Sequence, residues 1–132
     1  MWMRYALVCW LAFTIGLFPG AGAVNAASIE GSWSGSGTVK LTDGGIERVR
    51  CRVRYEKSIG RTYVLHVTCA HPNGTFRVSG RVVKLSDRRY SGRLYSDQYS
   101  VAGDVSISVS GSRQTVTAKS ARGTATVVLT KR

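Results

Sequence analysis

The residue types that build catalytic and metal sites are scarce in this sequence. It has two histidines, and no carboxylate stands at ligand or general-base spacing from His66, predicted on an outer strand face, or from His71, predicted in a turn. The segment GSWSG at 31–35 has tryptophan where a nucleophile elbow needs serine. The Gly-x-Gly at 35–37 lacks the following helix that would hold a phosphate. We therefore expect a protein that is not an enzyme and that has no catalytic residues, no cofactor and no metal.

Long apolar runs are also scarce, and the one that is present lies at the beginning of the sequence. Residues 1–26 have the features of a secretory signal peptide: Arg4 supplies the positive start and residues 5–18 are almost wholly apolar. This run is too short to span a bilayer as a mature anchor. The small residues at 24–26 favour cleavage before Ala27, with 21–23 as the competing site. We predict a periplasmic or secreted protein of residues 27–132 with no transmembrane anchor.

Acidic residues and cysteines are few in the predicted mature chain. Removing the leader takes away Arg4 from the 19 basic residues and none of the 7 acidic ones, which leaves a net charge of +11. Cys51 and Cys69 are then the only cysteines. Two cysteines in an oxidising compartment predict one disulfide, and a metal site built on them would lack further ligands at suitable spacing. A chain of this length supports one compact domain with a small core.

Helical periodicity is absent from residue 29 onward. Apolar and polar residues alternate instead, with turn-forming residues at short intervals, which predicts many antiparallel strands. The predicted strands cover residues 31–41, 46–57, 61–70, 75–85, 90–96, 99–110, 113–119 and 123–130. The expected fold is all-β, an up-and-down meander of about eight strands. It must close into a small barrel, or fold into a sandwich, to protect its edges.

The cysteines give a check on the pairing of the second and third predicted strands. A hairpin turning about residues 59–61 places Cys51 opposite Cys69, which is the arrangement that a cross-strand disulfide requires. The same register gives two further inward pairs, Val53 with Val67 and Tyr55 with Leu65. The alternation of apolar residues and the expected disulfide therefore predict the same register for these two strands.

The inward-facing positions predict the core. The predicted inward residues are Trp33, Val39, Leu41, Val49, Val53, Tyr55, Tyr63, Leu65, Val67, Phe76, Val78, Leu94, Tyr99, Val101, Val105, Ile107, Val109, Val116, Ala118, Val127 and Leu129. Among them Trp33, Tyr55 and Tyr63 are candidates for lining a ligand cavity in the barrel interior. Five glycines also fall at inward positions: Gly35, Gly37, Gly80, Gly92 and Gly103. They predict either strong coiling of the sheet or an interior with room in it.

The tripeptide Gly31-Ser32-Trp33 opens the first predicted strand and is followed by the meander, and this combination resembles the calycins, the lipocalin and avidin-like barrels. The resemblance implies a cup that binds a small hydrophobic ligand, with Trp33 closing its floor. The chain is shorter than a typical lipocalin and lacks an evident C-terminal helix and a second lipocalin motif. The pattern at 31–37 with the later Cys51 and Cys69 also resembles small exported proteins of Gram-negative bacteria that have no assigned activity.

Four arginines alternate with apolar residues in the second predicted strand. Arg48, Arg50, Arg52 and Arg54 therefore share the outer face. The hairpins on either side predict two cross-strand rows on this face: Ser36, Arg52, Thr68 and Arg77 in one, and Ser34, Arg54, His66 and Ser79 in the next. Guanidinium groups with hydroxyl neighbours suit phosphate, sulfate or carboxylate, and Arg81 widens the patch. The alternative is a solvated face that keeps the protein soluble.

The predicted partner is an anionic envelope polymer or a lipid headgroup. Nucleic acid is disfavoured because Tyr55 and Tyr63 point inward, whereas single-strand binders place aromatic side chains among their basic ones. Two alternatives remain open. One is a calycin-like carrier of a small apolar ligand inside the barrel, and the other is a structural or interaction protein of the cell envelope.

Overall fold

The computed structural model describes residues 28–132, so the predicted leader lies outside the described residues. The described chain forms eight strands: β1 Gly31–Leu41, β2 Ile46–Lys57, β3 Thr62–His71, β4 Gly74–Ser86, β5 Arg89–Ser96, β6 Val101–Ser110, β7 Arg113–Ser120 and β8 Gly123–Lys131. Each strand pairs with the next, and β8 pairs antiparallel with β1, so the sheet closes. The predicted all-β meander is confirmed and the structure is a barrel rather than a sandwich.

The disulfide register between β2 and β3 is confirmed. Cys51 lies directly opposite Cys69, their Cα atoms are 4.1 Å apart, and their sulfurs are bonded. The two further predicted pairs are present, Val53 with Val67 and Tyr55 with Leu65. Because side chains alternate between faces, this register also fixes the arginines of β2 on the outer surface.

The register of β1 differs from the predicted one by two residues. Arg52 lies opposite Ser34 rather than Ser36, because the hairpin closes early, with Lys40 opposite Ile46. The amide of Leu41 donates to the carbonyl of Gly45 at 2.7 Å, which fixes the turn between them. A shift of two residues keeps every side chain on its own face of the sheet. Each outer row therefore contains a different serine than predicted, and its side chains still point outward.

One end of the barrel, at the beginning of β1, is packed shut. Trp33 is wholly buried there, and its indole Nε1 donates to the carbonyl of Ile29 at 2.9 Å. Lys131 Nζ donates to the carbonyls of Ser28 and Glu30, both at 2.7 Å, and so holds the segment 28–30 across this end. The calycin-like expectation that Trp33 lies at the barrel's floor agrees with this position.

Apart from the two disulfide-bonded cysteines, five buried residues are absent from the list of predicted inward residues, and one member of that list is exposed. The additional residues are Ile29, Val82, Tyr90, Ser96 and Gln114. Tyr99, predicted inward, lies in the loop after β5 and is 43% exposed. Two buried tyrosines at the closed end, Tyr63 and Tyr90, contact each other edge to face with ring centroids 5.6 Å apart.

The inward glycines are sites of close backbone approach. A Cβ on Gly35 would collide with the carbonyl oxygen of Val128 in β8, and a Cβ on Gly92 would collide with that of Arg81 in β4. Neighbouring-strand carbonyls crowd the other three predicted glycines in the same way: Gly37, Gly80 and Gly103. Strong coiling of the sheet therefore accounts for all five, since only a residue without a side chain lets adjacent strands cross so tightly.

Candidate ligand-binding cup and basic face

The interior opens at the end of the barrel opposite Trp33. A cavity of about 370 Å³ lies beneath the turns at 42–45, 72–73 and 121–122 and the loop at 97–100. A smaller chamber of about 90 Å³ lies deeper in the barrel. We call the two together the cup. They share six lining residues: Val39, Phe76, Val78, Leu94, Ala118 and Ala125.

The wall of the cup is mainly apolar. The larger cavity adds Leu41, Tyr99, Val101 and Gly103 to the shared residues. The inner chamber is bounded by both cysteines of the disulfide and by aliphatic residues of β2, β3, β7 and β8: Val49, Val53, Leu65, Val67, Val116, Val127 and Leu129. Such a wall favours an apolar occupant, because burying apolar surface is stabilising by roughly 25 cal/mol per Å².

Polar groups are gathered at the mouth of the cup. His71 Nδ1 lies 3.5 Å from Oε1 of Glu47, and both side chains line the cavity. Ser96 also lines it and is 6% exposed, and its hydroxyl has no hydrogen-bond partner within residues 28–132. Lys119, Ser120 and Arg122 complete the polar part of the wall.

The proximity of Glu47 and His71 corrects two predictions. His71 is the last residue of β3 rather than a turn residue, and a carboxylate does lie beside it. The signal was present in the sequence, since 47 and 71 are inward positions that continue the series of Cys51 and Cys69. The register places the two residues on a cross-strand diagonal, within reach of long side chains.

The three predicted interior residues lie toward the closed end. Trp33 and Tyr63 are buried but border neither part of the cup, and Tyr55 borders only the inner chamber. The Tyr55 hydroxyl donates to Oε1 of Gln114 at 2.6 Å. Burial raises the pKa of Tyr55, with a smaller contribution from Tyr90. Burial also raises the pKa of Tyr90, followed by the effects of Tyr63 and Asp87.

The outer face of β2–β4 carries the predicted arginines, all of them exposed. Two cross-strand rows run over it: Ser34, Arg52, Thr68 and Arg77 in the first, and Ser32, Arg54, His66 and Ser79 in the second. Arg54 Nε lies 3.3 Å from Oε2 of Glu56. Among residues 28–132, no ion pair involves the other five: Arg48, Arg50, Arg52, Arg77 and Arg81.

Between residues 28 and 132 there is no helix long and apolar enough to cross a membrane. Within the same range no three side chains of histidine, cysteine, aspartate or glutamate are grouped so that they could hold a metal ion.

Comparison with known proteins identifies a fold and no sequence family. No family model matches the sequence, and no curated protein matches it significantly. The redesigned β-barrel mFAP1, solved bound to DFHBI, is similar with a TM-score of 0.64 at 13% identity over 79% of this chain and 94% of that one. A fluorescence-activating β-barrel of de novo design has a TM-score of 0.61 at 14% identity over 79% of this chain and 94% of its own.

These neighbours show the fold alone, which is a small eight-stranded β-barrel. The barrel architecture that the calycin resemblance implied is therefore confirmed, and membership of that family stays a prediction. The further resemblance to small exported Gram-negative proteins finds no support among the matches.

Proposed function

We propose that this protein binds a small, largely apolar molecule in its cup. The observation that carries the proposal is the asymmetry of the interior, with one end packed around Trp33 and the other holding a cavity of about 370 Å³. Small-molecule sites are usually concave, mainly apolar and roughly 300–1,000 Å³ in volume, with a few polar groups that orient the ligand. Ser96 and the pair of Glu47 and His71 are the polar groups of this kind at the mouth.

The test is a cavity-filling substitution with a matched control. Ala118 and Ala125 lie opposite each other on β7 and β8 and border both parts of the cup. Ala118→Leu combined with Ala125→Leu should weaken binding of the neutral probe N-phenyl-1-naphthylamine by at least about tenfold, because the added methyl groups occupy its space. Ala70→Leu, on the exposed outer face of β3, makes the same chemical change outside the cup and should bind the probe as the wild type does.

Three outcomes decide the proposal. Saturable binding that is lost only in the filled variant supports it, provided that circular dichroism shows both variants folded. Binding that survives filling, or no binding by the wild type, contradicts it. Organic extraction and mass spectrometry of the purified protein then identify the molecule that copurifies.

A second proposal concerns the outer face, where an anionic component of the cell envelope is the partner. Its support is the concentration of exposed arginines on β2 and β4, five of them outside any ion pair among residues 28–132. Arginine offers a planar set of donors that suits phosphate, sulfate and carboxylate groups and stays charged at any relevant pH. A structural role in the envelope, with an acidic protein as the partner, would use the same face.

In both proposals the protein acts in the periplasm or outside the cell, because residues 1–26 are predicted to be a signal peptide. Both functions consist of binding rather than catalysis. Detecting the protein in the periplasmic or extracellular fraction, with Ala27 as its first residue, tests the address directly.

A further inference from the structure

We propose that the outer surface of β3 is the floor of a groove that seats a linear polyanion running along the strand. This inference rests on the second proposal above and names the class of its partner. The groove has two walls. The β2 wall consists of Arg48, Arg50, Arg52 and Arg54, and the β4 wall consists of Arg77 and Arg81.

Strand geometry sets the dimensions of the groove. Alternate residues of a strand are about 6.8 Å apart, so the four arginines of β2 form a line about 20 Å long. The two walls are two strands apart, which separates their backbones by about 10 Å. This spacing leaves room for one extended chain between them.

Between the two walls, β3 carries shorter side chains on its outer face. These are Val64, His66, Thr68 and Ala70. The pairing places Thr68 between Arg52 and Arg77. Arginine guanidinium groups can therefore reach an anion above Thr68 from both sides, and its hydroxyl adds a further donor.

The shape of the barrel favours a linear polymer over a membrane. Two of eight strands make a quarter of the circumference, so side chains on β2 and β4 point away from the barrel in directions about 90° apart. A flat surface can face only one wall at a time. A chain lying along β3 is reached by both.

The composition of the same surface favours a polymer without bases. Outer positions of β2, β3 and β4 carry no aromatic residue except His66. Single-stranded nucleic acid binders rely on stacking between bases and aromatic side chains. The groove instead offers charge and hydroxyl groups, which fit a chain of phosphate, sulfate or carboxylate groups.

The experiment measures binding of linear inorganic polyphosphate of graded length to the oxidised protein across a salt series. The groove variant is Arg50→Ser, Arg52→Ser and Arg77→Ser together. The matched control is Arg88→Ser, Arg89→Ser and Arg113→Ser, which removes the same charge from exposed arginines that have no ion pair among residues 28–132.

The groove variant should bind about a hundredfold more weakly, since each arginine near an anionic surface contributes a factor of about five. The affinity of the control variant should fall by less than about threefold. The affinity of the wild type should stop rising with polymer length once the polyphosphate chain spans about 20 Å. The groove variant should also show a weaker dependence of affinity on salt, because fewer counterions are released.

Several outcomes would overturn the inference. Equal losses in the groove and control variants would show that net charge alone attracts the polymer. Stronger binding to phosphatidylglycerol vesicles than to polyphosphate would show that the face docks on a membrane. The first result would also contradict the second proposal, which assigns binding to the arginines of β2 and β4, whereas the second result would leave that proposal standing without the groove. If neither probe binds, the second proposal itself is wrong, whereas binding of the neutral probe in the cup is unaffected by either result.

Discussion

The Tyr55 hydroxyl donates a hydrogen bond of 2.6 Å to Oε1 of Gln114 across the closed end of the barrel. The two residues belong to β2 and β7, which are not neighbours in the sheet, and both side chains are buried. This bond joins opposite parts of the wall through the interior. It satisfies Oε1 of the buried Gln114 side chain, whereas Nε2 of the same amide has no hydrogen-bond partner among residues 28–132.

Tyr55→Phe should lower the free energy of unfolding by about 1–3 kcal/mol, because it leaves Oε1 of Gln114 buried without a donor. Tyr95→Phe removes a hydroxyl from an exposed side chain and should change stability by less than about 0.5 kcal/mol. Urea denaturation of the oxidised proteins measures both. Adding Gln114→Leu to Tyr55→Phe should cost less than the sum of the single changes. Strict additivity would show that the bond contributes nothing.

Alkaline pH should destabilise the barrel through Tyr55. Burial raises the pKa of its phenol above the ordinary value of 10.0, so the folded protein retains a proton that the unfolded chain releases. The stabilisation is complete below about pH 10 and is lost as the pH rises further, by up to about 1.4 kcal/mol per pH unit.

The measurement for this pH effect is urea denaturation between pH 9 and pH 11.5. The free energy of unfolding of Tyr55→Phe should fall less steeply with pH than that of the wild type over this range. Tyr95→Phe, which alters an exposed phenol, should keep the slope of the wild type. Parallel curves for all three proteins would contradict the assignment to Tyr55.

Opening the disulfide between Cys51 and Cys69 should lower the free energy of unfolding by about 3 kcal/mol, because the bond closes a loop with a sequence separation of 18. Thermal unfolding of the wild type with and without reductant measures the effect. The double substitution to alanine should match the reduced protein. Since the bond borders the inner chamber, binding of the neutral probe should also change in the double variant.

Gly35→Ala should prevent closure of the barrel or destabilise it by more than about 3 kcal/mol, because the new Cβ collides with the carbonyl of Val128. Gly45→Ala is the control, since a Cβ there meets only flexible side chains, 3.2 Å from Asp43 Oδ1 at the closest. Circular dichroism and urea denaturation compare the two. A stable, folded Gly35→Ala variant would contradict the role given to the inward glycines.

The sequence predicted the wall of the barrel well because its strands are regular. Period-two alternation and the pairing of Cys51 with Cys69 fixed faces and register, and the strand limits agreed with the structure within two residues. The β1–β2 hairpin was placed less accurately, because the Asp43-Gly44-Gly45 sequence offers several turn centres of similar quality. Both registers keep the same residues outside, so alternation cannot distinguish them.

The mouth of the cup was harder to predict. Glu47 and Ser96 are polar residues at inward positions, and their role depends on where the barrel stops being filled with side chains. That boundary follows from the combined volumes of residues on eight strands. Tyr99 illustrates the same limit, because its exposure depends on the path of a loop rather than on alternation.

The pairing of β1 with β8 also determines when folding of the barrel can be completed. Trp33 pairs with Lys131, almost a hundred residues away, whereas every other strand pairs with its sequence neighbour. Local hairpins can form early, but ring closure must await the last strand, and pairings of such long range slow folding. Until β8 arrives, β1 is an open edge that can pair with another chain. Truncating β8 would therefore leave β1 as an exposed edge strand and would make the protein prone to association through that edge.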